Sequence, residues 1–141
     1  INLTVLCLIF LNVSILYSQE NNNRFTVVLD PGHGGKDPGN LGNGYYEKNI
    51  ALSIALKVGY ELEKQSDIKV IYTRKKDVFV NLFKRAEIAN KAKADLFISI
   101  HCDSHSSNAY GAGTFVLGLH ANQRNFEIAK KENSVIFKEE N

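Results

Sequence analysis

The chain switches between two hydrophobic periods along its length, and that alternation constrains its fold more than any other feature. Phe25-Thr26-Val27-Val28-Leu29 is a short apolar run rich in β-formers, the composition of a buried strand. From Glu47 the period lengthens. Ile50, Ile54, Val58 and Leu62, with Ala51 and Ala55 alongside, recur at helical spacing and predict a helix over 46–65. Ile68 to Tyr72 reads as a second strand, and Leu96 to Ile100 as a third. Between them Asn81 is placed to cap a second helix, with Leu82, Ala86 and Ala89 turned inward. A fourth strand is expected at Thr114–Leu117 and a third helix over 122–138. Strands that alternate with helices predict the α/β class. The expectation is a mostly parallel sheet flanked by helices in a single domain, with the first three strands parallel.

The amino-terminal stretch is different in kind. Residues 1–18 contain no charged side chain. The run is too short and too interrupted for a membrane span, and it reads as the apolar region of a secretory signal peptide. Residues 19–24 are polar and read as a linker. Membrane association is expected only through an uncleaved signal. Removal of the signal would take Cys7 with it, leaving Cys102 unpaired, so burial of Cys102 is expected. Lys and Arg total 17 against 15 Asp and Glu, a net charge of +2. That balance lacks the basic footprint of a nucleic-acid binder, and none is expected as a partner.

Chemistry concentrates where strands end. The first strand runs into Asp30-Pro31-Gly32-His33-Gly34-Gly35-Lys36-Asp37-Pro38-Gly39, a loop with four glycines and both prolines of the chain. It lacks the G-K-[ST] ending of a phosphate loop and the third glycine of a dinucleotide-binding turn. No G-x-S-x-G element offers a serine nucleophile. In a parallel sheet, functional groups gather beyond the carboxyl ends of the strands. His33 lies just past the first strand, His101 at the end of the third, and Glu47 opens the first helix on the same side. Two imidazoles and one carboxylate form a catalytic zinc set that leaves a fourth position for water. Taken singly, each has a plainer role: a loop histidine, a carboxylate at a helix start, a core histidine. Asp103 is a candidate to hold a ligand imidazole from behind, or else a turn former. His105 is a candidate for the pocket rim, and His120 reads as loop.

These segments resemble a known family. Val27 to Gly39 is similar to the opening signature of the zinc-dependent N-acetylmuramoyl-L-alanine amidases, the amidase 3 family. Glu47-Lys48-Asn49 resembles its second metal motif. Tyr72-Thr73-Arg74, Asp77, Leu82, Arg85, Ala89-Asn90 and Ala94-Asp95 resemble its middle segment, and Leu96 to His101 its third motif. The likeness covers about Phe25 to Leu117. It implies hydrolysis of the amide that joins N-acetylmuramic acid to L-alanine in peptidoglycan, with Zn2+ on His33, Glu47 and His101. On that reading residues 25–141 are the amino-terminal part of a catalytic domain. The protein is bacterial, periplasmic or secreted, peptidoglycan is its partner, and a regulatory activator protein is a further candidate. Arg74, Asp77 and Arg85 are expected to anchor loops or form structural salt bridges. Two departures stand out. Cys102-Asp103 follows the third motif where the family has a small residue and Asn. The family's general-base glutamate has no counterpart here and is expected beyond Asn141; Glu132, Glu139 and Glu140 do not fill that role. The 141-residue chain alone is therefore expected to be a poor catalyst. The competing reading is an inactive peptidoglycan-binding or regulatory module of the same fold.

Overall fold

The computed structural model describes residues 24–103 and 110–116, together with 123, 126, 127 and 130. The expected signal peptide and linker lie outside the described residues but for Arg24. Within them the elements run β1 (Phe25–Pro31), β2 (Leu41–Gly42), β3 (Tyr45–Tyr46), α1 (Glu47–Leu62), β4 (Ile68–Tyr72), α2 (Leu82–Ala92) and β5 (Leu96–Ile100). The main sheet has the order β4-β1-β5, and both pairings are parallel. The chain is thus α/β, as its periodicity predicts. β2 and β3 form a small antiparallel hairpin just before α1.

β1 is the centre of the core. Val28 and Leu29 are fully buried, and Val27 nearly so. A central parallel strand is covered on both faces, which is why its sequence is a continuous apolar run rather than an alternating one. Its ladder with β5 pairs Pro31 with Ile100, and one more bond, from the Gly32 N–H to the Ile100 carbonyl at 2.9 Å, extends it. The next residues on the two strands are therefore delivered side by side at one end of the sheet.

α1 meets the sheet through a different row from the one its hydrophobicity predicts. The buried positions are Glu47, Ala51, Ala55 and Gly59, four residues apart. Ile50, Ile54 and Val58 flank that row and stay 36–42% exposed. The reason is distance. Small side chains let the helix backbone lie close to β1, and a Cβ on Gly59 would collide with the Tyr72 phenol. α2 departs similarly. Asn81 caps it as expected, accepting the Lys84 N–H at 2.7 Å. Ala86, however, is exposed and the buried residue is Arg85. The expected strand at Thr114–Leu117 is not formed over Thr114–Val116, and Leu117 lies outside the described residues. Phe115 and Val116 are exposed there, and among the described residues no strand pairs with them. Gln123, Phe126, Glu127 and Lys130 lie in helical backbone, within the segment expected to be the third helix.

Candidate metal centre

The loop after β1 folds back on itself before it reaches α1. Gly34 and Asp37 exchange backbone hydrogen bonds of 2.9 and 3.1 Å. The first N–H groups of α1 are then taken up by loop carbonyls, Glu47 by Asn40 and Lys48 by Pro38. This supplies partners that the helix itself cannot give, and it fixes Glu47 against the loop that carries His33.

Three side chains meet there. His33 Nε2 lies 3.1 Å from Glu47 Oε1. His101 Nδ1 lies 3.1 Å from the same oxygen and 3.2 Å from His33 Nε2. The three atoms form a nearly equilateral triangle. Ligand atoms of a tetrahedral zinc site with bonds near 2.05 Å are separated by about 3.3 Å, so the spacing fits a shared small cation. The hydrogen-bond chemistry points the same way. His33 Nδ1 sits 2.8 Å from Asp37 Oδ2. A carboxylate can only accept, so the proton is on Nδ1, and in the neutral ring Nε2 offers a lone pair. That lone pair faces a carboxylate oxygen, with a second imidazole nitrogen beside it. A small cation at the centre would satisfy all three, and protons on the imidazoles shared with the carboxylate oxygen are the metal-free alternative. Among the described residues this is the group whose geometry could hold a metal ion.

Glu47 is buried, and burial by itself pushes its carboxyl up. His101, His33 and the N–H groups of Asn40 and Cys102 outweigh that and hold it well below the usual carboxylate range. The Cys102 N–H donates to Oε1 at 2.7 Å and the Asn40 N–H to Oε2 at 2.8 Å. The Asn40 side chain also donates to the Cys102 carbonyl at 2.7 Å, tying the loop to the strand end that carries His101.

Two glycines make the convergence sterically feasible. A Cβ on Gly32 would collide with the His101 imidazole. Gly39 has φ +70°, and a Cβ there would lie 2.6 Å from the His33 ring and 2.7 Å from Glu47 Cβ. His33 itself has φ 59°, a left-handed conformation that costs a residue with a side chain about 1–2 kcal/mol. The loop must hold it there.

All three residues singled out in the sequence are thus brought together. Asp103 is exposed, and Asp37 is a carboxylate that reaches a ligand-candidate imidazole. The sequence signal was present, an aspartate four residues after His33 in a closed loop, but its orientation depends on the Gly34–Asp37 turn. Asn40 was likewise not singled out. Cys102 is half-buried rather than buried. His105 and His120 lie outside the described residues.

Comparison with known proteins agrees with the resemblance noted in the sequence. Residues 27–140 match the N-acetylmuramoyl-L-alanine amidase family. A protein of Haemophilus influenzae described as a probable N-acetylmuramoyl-L-alanine amidase AmiB is 46% identical over 95 residues, 65% of this chain and 22% of that protein. The Escherichia coli amidase AmiA is 44% identical over 102 residues, 71% of this chain and 35% of that one. Among solved structures, the catalytic domain of the amidase CwlV from Bacillus (Paenibacillus) polymyxa superposes with a TM-score of 0.58 at 41% identity, covering 60% of this chain and 49% of that domain. An amidase from Clostridium difficile 630 gives 0.60 at 40% identity, covering 64% and 50%. The chain spans half of each of these solved structures and a smaller share of the two full-length relatives. With the family match extending over most of its length, the chain belongs to the N-acetylmuramoyl-L-alanine amidase family.

Proposed function

We propose that this chain carries the metal centre of a zinc-dependent hydrolase that cleaves the amide between N-acetylmuramic acid and L-alanine in peptidoglycan. The observation that carries the reading is the triangle of His33 Nε2, Glu47 Oε1 and His101 Nδ1, with sides of 3.1–3.2 Å. In this reading those atoms hold Zn2+ and leave a fourth position for solvent or substrate. Two imidazoles and a carboxylate suit zinc better than the hard cations, which favour all-oxygen sites. A bound zinc ion supplies a Lewis acid and brings the pKa of its water toward about 7.

The chain's own residues prepare that site. Glu47 stays ionised through neutral pH: the Asn40 and Cys102 N–H groups favour the charged form, as does an imidazole proton or a cation facing it. Asp37 keeps the His33 proton on Nδ1 and so directs Nε2 inward. Gly32 and Gly39 keep the approach free of side-chain bulk. Peptidoglycan lies outside the cytoplasm, so the reading also has the protein exported, with residues 1–18 as its signal peptide. Among the described residues no helix is long and apolar enough to cross a membrane.

The test uses the full-length protein. It should bind about one zinc per chain and release stem peptides that begin with a free L-alanine amine, identified by mass analysis of digested muropeptides. His33→Ala should lose both. Cuts elsewhere in the peptide would make the protein a zinc peptidase instead. Zinc binding with peptidoglycan retention and no product would make it an inactive binding module.

A further inference from the structure

Two buried arginines grip the backbone on both sides of His33. The Pro31 carbonyl accepts from Arg74 Nε at 3.0 Å and from Arg85 Nη1 at 2.8 Å. The Gly32 carbonyl accepts from Arg74 Nη2 at 2.6 Å. The His33 carbonyl accepts from Arg85 Nη2 at 2.8 Å. Three consecutive carbonyls after β1 are thus claimed by two guanidinium groups, each about 95% buried or more.

The geometry of these bonds matters more than their number. The Gly32 carbonyl belongs to the peptide plane before the His33 Cα, and the His33 carbonyl belongs to the plane after it. Arg74 holds the first plane and Arg85 the second. The relation between two successive planes is the φ/ψ pair of the residue between them, here the left-handed His33 at φ 59°. The Gly34 N–H, on the same second plane, is held by the Asp37 carbonyl. With φ and ψ fixed, the direction of the Cα–Cβ bond is fixed, and with it where the imidazole can reach.

Each arginine is itself anchored. Arg85 Nη1 pairs with Asp30 Oδ1 at 2.7 Å, and Asp30 also accepts from the Thr73 and Ser99 hydroxyls. Arg85 Nε donates to the Val80 carbonyl and Arg74 Nη2 to the Lys48 carbonyl. A lysine at either place could keep the charge but not the fork that reaches several acceptors at once.

We propose that Arg74 and Arg85 are positioning residues for the metal centre, acting through the two peptide planes that flank His33. The inference rests on His33 being a metal ligand.

The experiment measures zinc affinity of the metal-stripped full-length protein against a chromophoric chelator, alongside the visible spectrum of the cobalt-loaded form. Arg85→Lys should weaken zinc binding about 10- to 100-fold, the range seen when support of a ligand is lost. Its tetrahedral cobalt band should weaken per ion bound. Arg74→Lys should act in the same direction and serves if Arg85→Lys does not fold. Ser99→Ala, which removes a different partner of Asp30 and touches neither carbonyl, should leave both readouts near wild type. If both lysine variants, once corrected for folded fraction, bind zinc within twofold of wild type with an unchanged cobalt spectrum, the arginines are only structural and the proposal fails. If instead His33→Ala binds zinc as tightly as wild type, the ligand assignment beneath it fails.

Discussion

Two polar clusters, linked through Arg85 and the His33 backbone, lie at the end of β1, and they are built differently. Around Asp30 every group is matched. Oδ1 accepts from Arg85 and Thr73, and Oδ2 from Ser99 at 2.8 Å. Around Glu47 the Asn40 and Cys102 N–H groups are likewise matched, and on the inner side a carboxylate oxygen and two imidazole nitrogens converge at 3.1–3.2 Å. The first cluster is closed and adds to the fold. The second has three potential ligand atoms close enough to share one small cation. Burial and charge alone do not separate them, since Asp30, Arg85 and Glu47 are all buried. What separates the two clusters is that only the second brings its atoms together around a point that one ion could share.

The contrast can be broken from either side. The largest effect is expected at the closed cluster. Asp30→Ala strands a buried guanidinium and should cost about 3–5 kcal/mol of stability, read by urea unfolding in the presence of chelator. Loss of well under 1 kcal/mol would mean that the Asp30 cluster contributes little to the fold. At the open cluster the effect should appear in the ion rather than the fold. Glu47→Gln keeps the shape and one acceptor but removes the charge, and zinc affinity should fall by more than about a hundredfold. Unaltered affinity would leave the triangle as a hydrogen-bonded cluster. A step outward, Asp37→Asn should weaken zinc by about 10- to 100-fold without matching loss of apo stability.

The smallest effect belongs to a link on the rim. Asp77 accepts from Lys48 and from the Gly35 N–H, each at 2.7 Å, and these bonds hold its carboxyl below its ordinary 3.8. A depressed folded-state pKa gives stability that is present above the ordinary value and lost as pH falls through the folded one. Wild type and Asp77→Asn should therefore differ modestly at neutral pH and converge on acidification below that value. A gap that persists in acid would mean that packing, not charge, holds the rim. Asp77 is nearly half exposed, so solvent screens the pair and the gap should be small.

The same contrast explains what could be read without coordinates. His33, Glu47 and His101 were legible because each falls at an element boundary that hydrophobic period reveals. Apolar spacing puts Ala86 on the inner face of α2, where the buried residue is Arg85. In the folded chain the pairing of Arg85 with Asp30 and three carbonyls makes burial of a charge tolerable, and that pairing spans 55 residues of sequence. The helix row was misjudged for a related reason. Periodicity reports where apolar residues recur, not how closely two backbones approach, and at Gly59 closeness decided the buried face. Thr114–Val116 shows the converse: β-rich composition invites a strand, yet no described strand pairs with it.

By itself, then, the sequence determined the order of strands and helices, the special loop after β1, and the three side chains that end at one edge of the sheet. These follow from local period and from glycine and proline, which act within a few residues. Tertiary structure alone decided that Asp37 backs an imidazole, that α1 packs through its smallest side chains, and that two arginines grip the His33 backbone. Those outcomes depend on donors and acceptors brought together from distant positions, and no local pattern in the chain records the distance between them.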